Sequence, residues 1–221
     1  MKVIYQDNDL LVVDKPAKID VIELMGLVLK EYPEIKNIGL APRYGLIHRL
    51  DKDTSGILLI AKTEMGLIFF QKQFKLKRVK KTYIALVIGN VRDDKGRIET
   101  LIGRSKKDGK KQKVYLETEP GSEGKRDAIT DYQVVKRFKE YTLINAFPKT
   151  GRKHQIRCHF SYINHPLAGD KVYGFKNQPC PKELDHHFLH AENLQIEMSN
   201  GKIKEFHSDL PKDLKNILEQ L

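Results

Sequence analysis

The segment Ile47–Ala61, IHRLDKDTSGILLIA, sets one carboxylate, Asp51, behind the basic residues His48 and Arg49 and ahead of the turn residues Thr54, Ser55 and Gly56. An aspartate at the mouth of an apolar hairpin has two readings. It can accept hydrogen bonds from the N–H groups of Thr54 or Ser55 as a local turn, as Asp does routinely. It can also stand at the edge of a rigid scaffold as a nucleophile or acid/base. Glycosidase chemistry needs a pair of carboxylates, and the only neighbour is Asp53, which the Lys52–Thr54 turn is expected to point away. No phosphate-binding loop, dinucleotide fingerprint or metal-ligand cluster is visible.

The charge is clustered. Of 221 residues, 40 are Lys or Arg and 29 are Asp or Glu, a formal net charge of +11. Gln71–Lys81 (QKQFKLKRVKK) carries six basic residues and no acid, Leu101–Lys113 carries six with one acid, and Lys149–Arg157 (KTGRKHQIR) carries four with no acid. One such run is as readily a solvated helix face as a binding surface. Three of them in a chain whose remainder is net negative point to a polyanion, and RNA offers the dense phosphates that basic patches neutralise. None of the runs pairs its charge with a broad apolar helical stripe, and no apolar stretch approaches the ~20 residues of a bilayer span, so a membrane partner is not expected. Two cysteines make neither a disulfide framework nor a zinc site, and the N-terminus lacks a secretory pattern. A cytoplasmic protein with reduced thiols is expected.

These residues need elements to hold them. Val3–Tyr5 and Leu10–Asp14 read as strands joined at Asp7-Asn8-Asp9. Asp20 with Glu23 resembles a capping box that opens a helix through Leu24, Leu27 and Val28, stopping before Pro33. Tyr44–Leu50 and Ile57–Ala61 read as strands flanking the polar turn, and Thr63 as the cap of a helix carrying Leu67, Phe70 and Phe74. Lys81–Gly89, Ala128–Lys136 and Tyr141–Phe147 are β-rich. Gly103–Lys113 and Glu119–Lys125 read as mobile connections, and Arg152–Tyr162 as a polar helix. Phe188–Glu197 and Lys202–Phe206 flank a turn, and Pro211 suits a helix start. The expectation is α+β: a mainly antiparallel or mixed sheet with flanking helices and a central cleft, in one catalytic domain over 1–221.

The motifs then acquire a context. HRLDKDTSG resembles the signature of the RluA-type RNA pseudouridine synthase family, and the similarity runs in order along nearly the whole chain. LLVVDKP (Leu10–Pro16), KTYIA (Lys81–Ala85), GKRDAIT (Gly124–Thr130), TGRKHQIR (Thr150–Arg157) with His159, HPLAGDKVYG (His165–Gly174) and LHAENL (Leu189–Leu194) each match a family motif. The resemblance implies isomerisation of uridine within RNA. The bond from nitrogen to ribose breaks, the base turns, and ribose is rejoined through a ring carbon, with no redox change and no cofactor or metal required, which accords with the motifs the sequence lacks.

On that resemblance Asp51 is the catalytic residue, an ionised carboxylate that attacks the sugar or assists departure of the base. Arg157 is the candidate guanidinium beside it, since an opposite charge within ~4–6 Å lowers a carboxylate pKa by roughly 1–3 units; the alternative is an arginine that binds phosphate. Tyr83 is expected to stack on the base, worth ~1–3 kcal/mol, and to take the ring-carbon proton, against the alternative of a packing tyrosine. The nucleotide must be swung out at a cost of a few kcal/mol. Arg49, His48, Arg152 and His154 are the candidate substrate-binding residues, although His48 and His154 equally suit a bracing role. Gly169-Asp170 and Tyr173-Gly174 are expected to form a turn that packs the C-terminal motif, with Asp170 not catalytic. Where the family commonly has Gly after the Lys-Pro turn, this chain has Lys18. The S4-type RNA-binding domain of many members is not expected, which leaves the grip on RNA to the lysines. The RNA partner is ribosomal or transfer RNA, and a monomer is expected. The alternative function is a non-catalytic RNA-binding protein on the same scaffold.

Overall fold

The computed structural model describes residues 2–106, 108–109 and 111–221. The chain forms two compact units, one of residues 1–81 with 190–210 and one of residues 82–189 with 211–221.

In the first unit β1 (Lys2–Gln6) pairs antiparallel with β2 (Leu10–Lys15), and β2 with β3 (Ser55–Ala61). β3 pairs in parallel with β9 (Leu189–Glu197), whose other edge takes β10 (Ile203–His207) antiparallel. The continuous apolar runs LLVV and GILLIA are buried on both faces, as such unalternating strands must be. Helix α1 (Val21–Glu31) starts where the side chain of Asp20 accepts from the N–H groups of Ile22 and Glu23 at 2.8 and 2.9 Å. It buries Val21, Leu24, Met25 and Val28, and Pro33 follows its end. Helix α2 (Glu64–Lys75) is capped by the Thr63 hydroxyl, which accepts from Gly66 N–H at 3.0 Å and donates to Asp9 at 2.9 Å.

The capped helices and most strands stand where the sequence placed them, but Tyr44–Leu50 does not form a strand. Residues 41–45 are turns and Leu46 makes one isolated bridge to Ile60. Leu46, Ile47 and Leu50 are nevertheless buried, by packing and not by strand pairing.

The second unit is an antiparallel sheet in the order β4 (Lys80–Ile88), β8 (Tyr141–Pro148), β7 (Arg126–Arg137), β5 (Lys95–Arg104) and β6 (Gln112–Tyr115). Helix α3 (Gln155–Tyr162) packs against β6, β7 and β8. Ala85, Val87, Ile144, Ala146, Phe160 and Leu167 form the centre of its core. Helix α4 (Lys212–Glu219) buries Leu214 and Ile217. The segment 103–113, expected to be a mobile connection, instead contributes Gly103–Arg104 and Gln112–Lys113 to a paired hairpin. Its lysines obscure an alternation that buries Ile98, Ile102 and Val114 and turns the charges outward. Lys107 and Lys110 lie outside the described residues. The chain therefore adopts the α+β architecture of mainly antiparallel strands expected from its sequence. Among the described residues no helix is long and apolar enough to cross a membrane.

Candidate active site

In the first unit, Asp51 sits half-buried at the head of a loop between Leu46 and β3. The loop closes on itself through Thr54 N–H donating to the Asp51 carbonyl at 3.1 Å. Its exit is fixed by a chain of buried groups: Ser55 Oγ lies 2.9 Å from His190 Nδ1, and His190 Nε2 lies 2.9 Å from the Ser208 carbonyl. A carbonyl only accepts, so Nε2 carries the proton and Nδ1 accepts from Ser55. Burial lowers the His190 pKa, which keeps the ring in that neutral tautomer. Gly56 follows with φ +110°, and a Cβ there would lie 2.2 Å from the Ala191 carbonyl oxygen. Only glycine allows β9 to approach this closely just beyond the loop.

The other anchor is Lys15, the last residue of β2 and wholly buried. Its ammonium donates to the carbonyls of Pro16 at 2.8 Å, Ile19 at 2.7 Å and Lys52 at 2.9 Å. Two of these belong to the turn entering α1, and the third belongs to the residue after Asp51. Burial lowers the Lys15 pKa to about 8, against the pull of Asp53, Asp51, Asp20 and Glu23. Nothing in the sequence marks this role, because a lysine closing a strand ordinarily reaches solvent and its partners here are main-chain atoms of any residue type. The Lys-Pro turn beside it does contain Lys18, held at φ 69°. That is the left-handed conformation glycine occupies freely, which accounts for the glycine common at this position in the family it resembles.

His48 stacks on Phe74 with ring centroids 4.7 Å apart, and its Nε2 accepts from Leu59 N–H at 3.2 Å. Burial, with the positive charge of Lys81, pushes its pKa down to about 3. The ring is therefore neutral and committed to packing against β3 and α2. Arg49 is exposed. Burial also pushes Lys81 down to about 8.

In the second unit, Arg157 on α3 is buried and forms a two-pronged pair with Asp170: Nε donates to Oδ2 at 2.7 Å and Nη2 to Oδ1 at 3.0 Å. Asp170 Oδ1 also accepts from the N–H groups of Val172 and Tyr173 at 2.9 and 3.1 Å. Burial alone would raise the Asp170 pKa, but the hydrogen bonds and charge of Arg157 hold it below the usual carboxylate range. The guanidinium lies 5.0 Å over the Tyr173 ring. The Tyr173 hydroxyl accepts from Gln112 N–H at 2.9 Å and lies 2.8 Å from His154 Nδ1. The turn at 169–174 thus packs the C-terminal motif as expected, and it orients Arg157 as well. That second part was not legible, since no spacing ties residue 170 to residue 157.

Arg152 is half-buried, and its Nε donates to the Asp127 carbonyl at 2.8 Å. Its main-chain N–H donates to Gln155 Oε1 at 3.0 Å. His159 is completely buried between Thr130 Oγ1 at 2.8 Å and Thr100 Oγ1 at 3.1 Å, and burial pushes its pKa down to about 4. Tyr83 on β4 is half-buried and packs against the core of the unit. The first unit therefore presents a carboxylate on a loop pinned through its main chain, and the second a buried, pre-oriented guanidinium and an aromatic face.

Residues 9–162 match a family described as RNA pseudouridylate synthase. The chain is 38% identical over 221 residues to ribosomal large subunit pseudouridine synthase D of Borreliella burgdorferi, covering 95% of this chain and 65% of that one. It is 35% identical over 232 residues to the uncharacterized RNA pseudouridine synthase YlyB of Bacillus subtilis, covering 100% of this chain and 73% of that one. It thus spans about two thirds of the length of these relatives. Among solved structures it resembles human RNA pseudouridylate synthase domain containing 1, with a TM-score of 0.80 at 27% identity, covering 95% of this chain and 83% of that one.

Proposed function

The chain belongs to the RNA pseudouridylate synthase family, and from that premise we propose that it isomerises uridine to pseudouridine within structured RNA, with Asp51 as the nucleophile. The observation that carries this reading is the anchoring of the Asp51 loop. Lys15 holds its main chain at residue 52, and Ser55, bonded to His190, holds its exit. A reacting carboxylate must be held to a fraction of an ångström, and main-chain anchors do this while leaving the reaction to the carboxylate itself.

Asp51 attacks the ribose as the C1′–N1 bond breaks, or steadies it without bonding; the freed base turns, C5 joins C1′ as any bond to Asp51 breaks, and the proton lost from C5 is balanced by one gained at N1. Substrate and product are isomers, so no oxidant, nucleotide or metal enters the balance. Tyr83 supplies a face for the turning base and accepts the C5 proton. Arg157, its plane set by Asp170, supplies the positive charge. Arg49 and Arg152 bind phosphates beside the extruded nucleotide, and His154 supports the same segment. His48, being neutral and stacked, braces the loop. The exposed lysines 72, 75, 77 and 80 with Arg78 bind the phosphate backbone. The enzyme acts in the cytoplasm as a monomer. The name of the Borreliella relative makes large-subunit ribosomal RNA the first substrate to try.

The test is Asp51→Asn assayed on ribosomal and transfer RNA by site-by-site pseudouridine mapping. The expected result is loss of product with RNA affinity within about threefold of the parent. Product formation by the variant would remove Asp51 from the chemistry. RNA binding without product by the parent chain on every RNA tried would favour the non-catalytic alternative.

A further inference from the structure

Lys15 is a wholly buried lysine that the proposed chemistry does not use. Burying an ammonium is costly unless each of its N–H groups finds an acceptor. Here the count matches: three donors meet the carbonyls of Pro16, Ile19 and Lys52, all within 2.9 Å. Two of those carbonyls precede α1, and the third lies one residue from Asp51. The groups facing the ammonium are Asp51 and Asp53 from the loop and Asp20 and Glu23 from the start of α1. Across the strand pair it stands opposite Gly56, where the loop re-enters β3. An apolar side chain of the same length would fill this space and tie neither turn to the other.

We propose that Lys15 is a positioning residue whose ammonium fixes the main chain at Lys52 and thereby the attitude of the Asp51 carboxylate. This rests on the reading of Asp51 as the reacting group. Losing one proton leaves two N–H donors and a lone pair for three carbonyls, so one carbonyl must let go. That change belongs to the interval above about pH 8, where the buried group titrates.

Loop order and global stability then move in opposite directions. The folded value of about 8 lies below the ordinary lysine value of 10.5. Between the two the unfolded chain binds the proton more tightly, so this group makes folding more favourable as pH rises from 8 to 10.5. A merely structural lysine would therefore not produce an activity loss in that interval.

The experiment follows three quantities in the intact chain from pH 6.5 to 9.5: single-turnover pseudouridine formation, the urea midpoint, and the exchange protection of the Thr54 amide without RNA. Expected is a rate about tenfold lower at pH 9 than at pH 7, since about nine in ten Lys15 side chains are then neutral. Thr54 protection falls over the same interval, while the urea midpoint does not. Lys15→Met is expected to be at least tenfold slower at pH 7, to lose no further rate by pH 9, and to bind RNA within about threefold of the parent. A parent rate flat to pH 9.5 overturns the proposal, as does Lys15→Met with the parent's rate or the parent's alkaline fall. If Lys15→Met does not fold, the parent's own pH series decides. Because protection is read without RNA, the two readings fail separately. Unchanged Thr54 protection in an active enzyme sinks the role of Lys15, whereas protection that falls as expected in a chain forming no pseudouridine on any RNA sinks the reading of Asp51.

Discussion

Breaking the Arg157–Asp170 pair from each side, and then from both, separates what the pair does for the fold from what Arg157 does for the reaction. Asp170 accepts four hydrogen bonds, two from Arg157 and one each from Val172 and Tyr173 N–H. In Asp170→Asn one oxygen can still serve Nη2 and both main-chain donors, but the new NH2 faces Nε, donor against donor. A buried guanidinium is then left without its counter-charge, which typically costs about 3–5 kcal/mol. At 2–4 °C per kcal/mol for a chain of this size, Tm falls by about 6–20 °C. Arg157→Met leaves the buried carboxylate with its two main-chain donors and costs a similar amount. In the double variant Arg157→Met/Asp170→Asn no buried charge remains, the amide oxygen keeps the two N–H groups, and Met packs on the Tyr173 ring.

The double variant is therefore expected to be more stable than Asp170→Asn alone, with a coupling energy of about 2–3 kcal/mol from urea unfolding. Pseudouridine formation is expected to stay lost in it, because the guanidinium is gone although the fold has recovered. A coupling below about 0.5 kcal/mol would refute the buried-pair account. Full activity in the recovered double variant would refute a chemical role for Arg157. The pair also sets an acid limit. The folded carboxyl titrates below its unfolded value, so its contribution is present above about pH 4 and is lost as pH falls through the folded value.

Three further outcomes follow from the same structure. Lys18→Gly relieves a left-handed residue worth about 1–2 kcal/mol of strain and gives back about 0.4–1 kcal/mol in unfolded-state entropy. A net gain of about 0.5–1 kcal/mol in urea unfolding is expected, and a variant less stable than the parent contradicts the strain account. His159 is neutral in the fold with a pKa of about 4, so its stabilising contribution is present above about pH 6.5 and drains away as pH falls toward 4. By pH 5 this amounts to about 2 kcal/mol, and His159→Gln is expected to show that much less acid loss; an unchanged acid slope sinks the assignment. Neutralising Lys72, Lys75, Lys77, Arg78 and Lys80 together is expected to flatten the log-affinity against log-salt slope for RNA by about 3.5, at roughly 0.7 per phosphate contact. An unchanged slope would mean that the end of α2 does not touch the backbone.

What could be read in advance was what has a local cause. Asp20 and Thr63 are caps because a short polar side chain reaches N–H groups two or three residues ahead, and both cap as expected. The apolar runs of β2 and β3 and the β-rich segments of β4, β7 and β8 declared themselves by composition. The paired strands around 103–113 were hidden by lysines, which on a half-exposed strand are as compatible with pairing as with a loop. Tyr44–Leu50 erred the other way: its apolar residues are buried by packing without entering a ladder. Asp51 could be singled out because its motif is local. Lys15, His190 and Asp170 could not be, since each acts on a group 13 to 135 residues distant in sequence or on a carbonyl that any residue could supply.

The division between side-chain and main-chain restraint has a chemical reason. A carboxylate that is to form a bond to carbon loses nucleophilicity with every strong donor placed on its lone pairs, because a donor that stabilises the anion also stabilises the ground state. Restraint applied to the main chain of its loop adds positional order without that cost. In this chain the positive charge that orders the loop is directed at the carbonyl of Lys52, and the histidine at the loop's exit holds the hydroxyl of Ser55. Asp170 is held through the carboxylate itself. Its four donors hold it as a permanent anion, which makes it a good orienter of Arg157 and a poor nucleophile. Asp170 is thereby committed to orienting Arg157, whereas the loop that carries Asp51 is held at the carbonyl of Lys52 and the hydroxyl of Ser55.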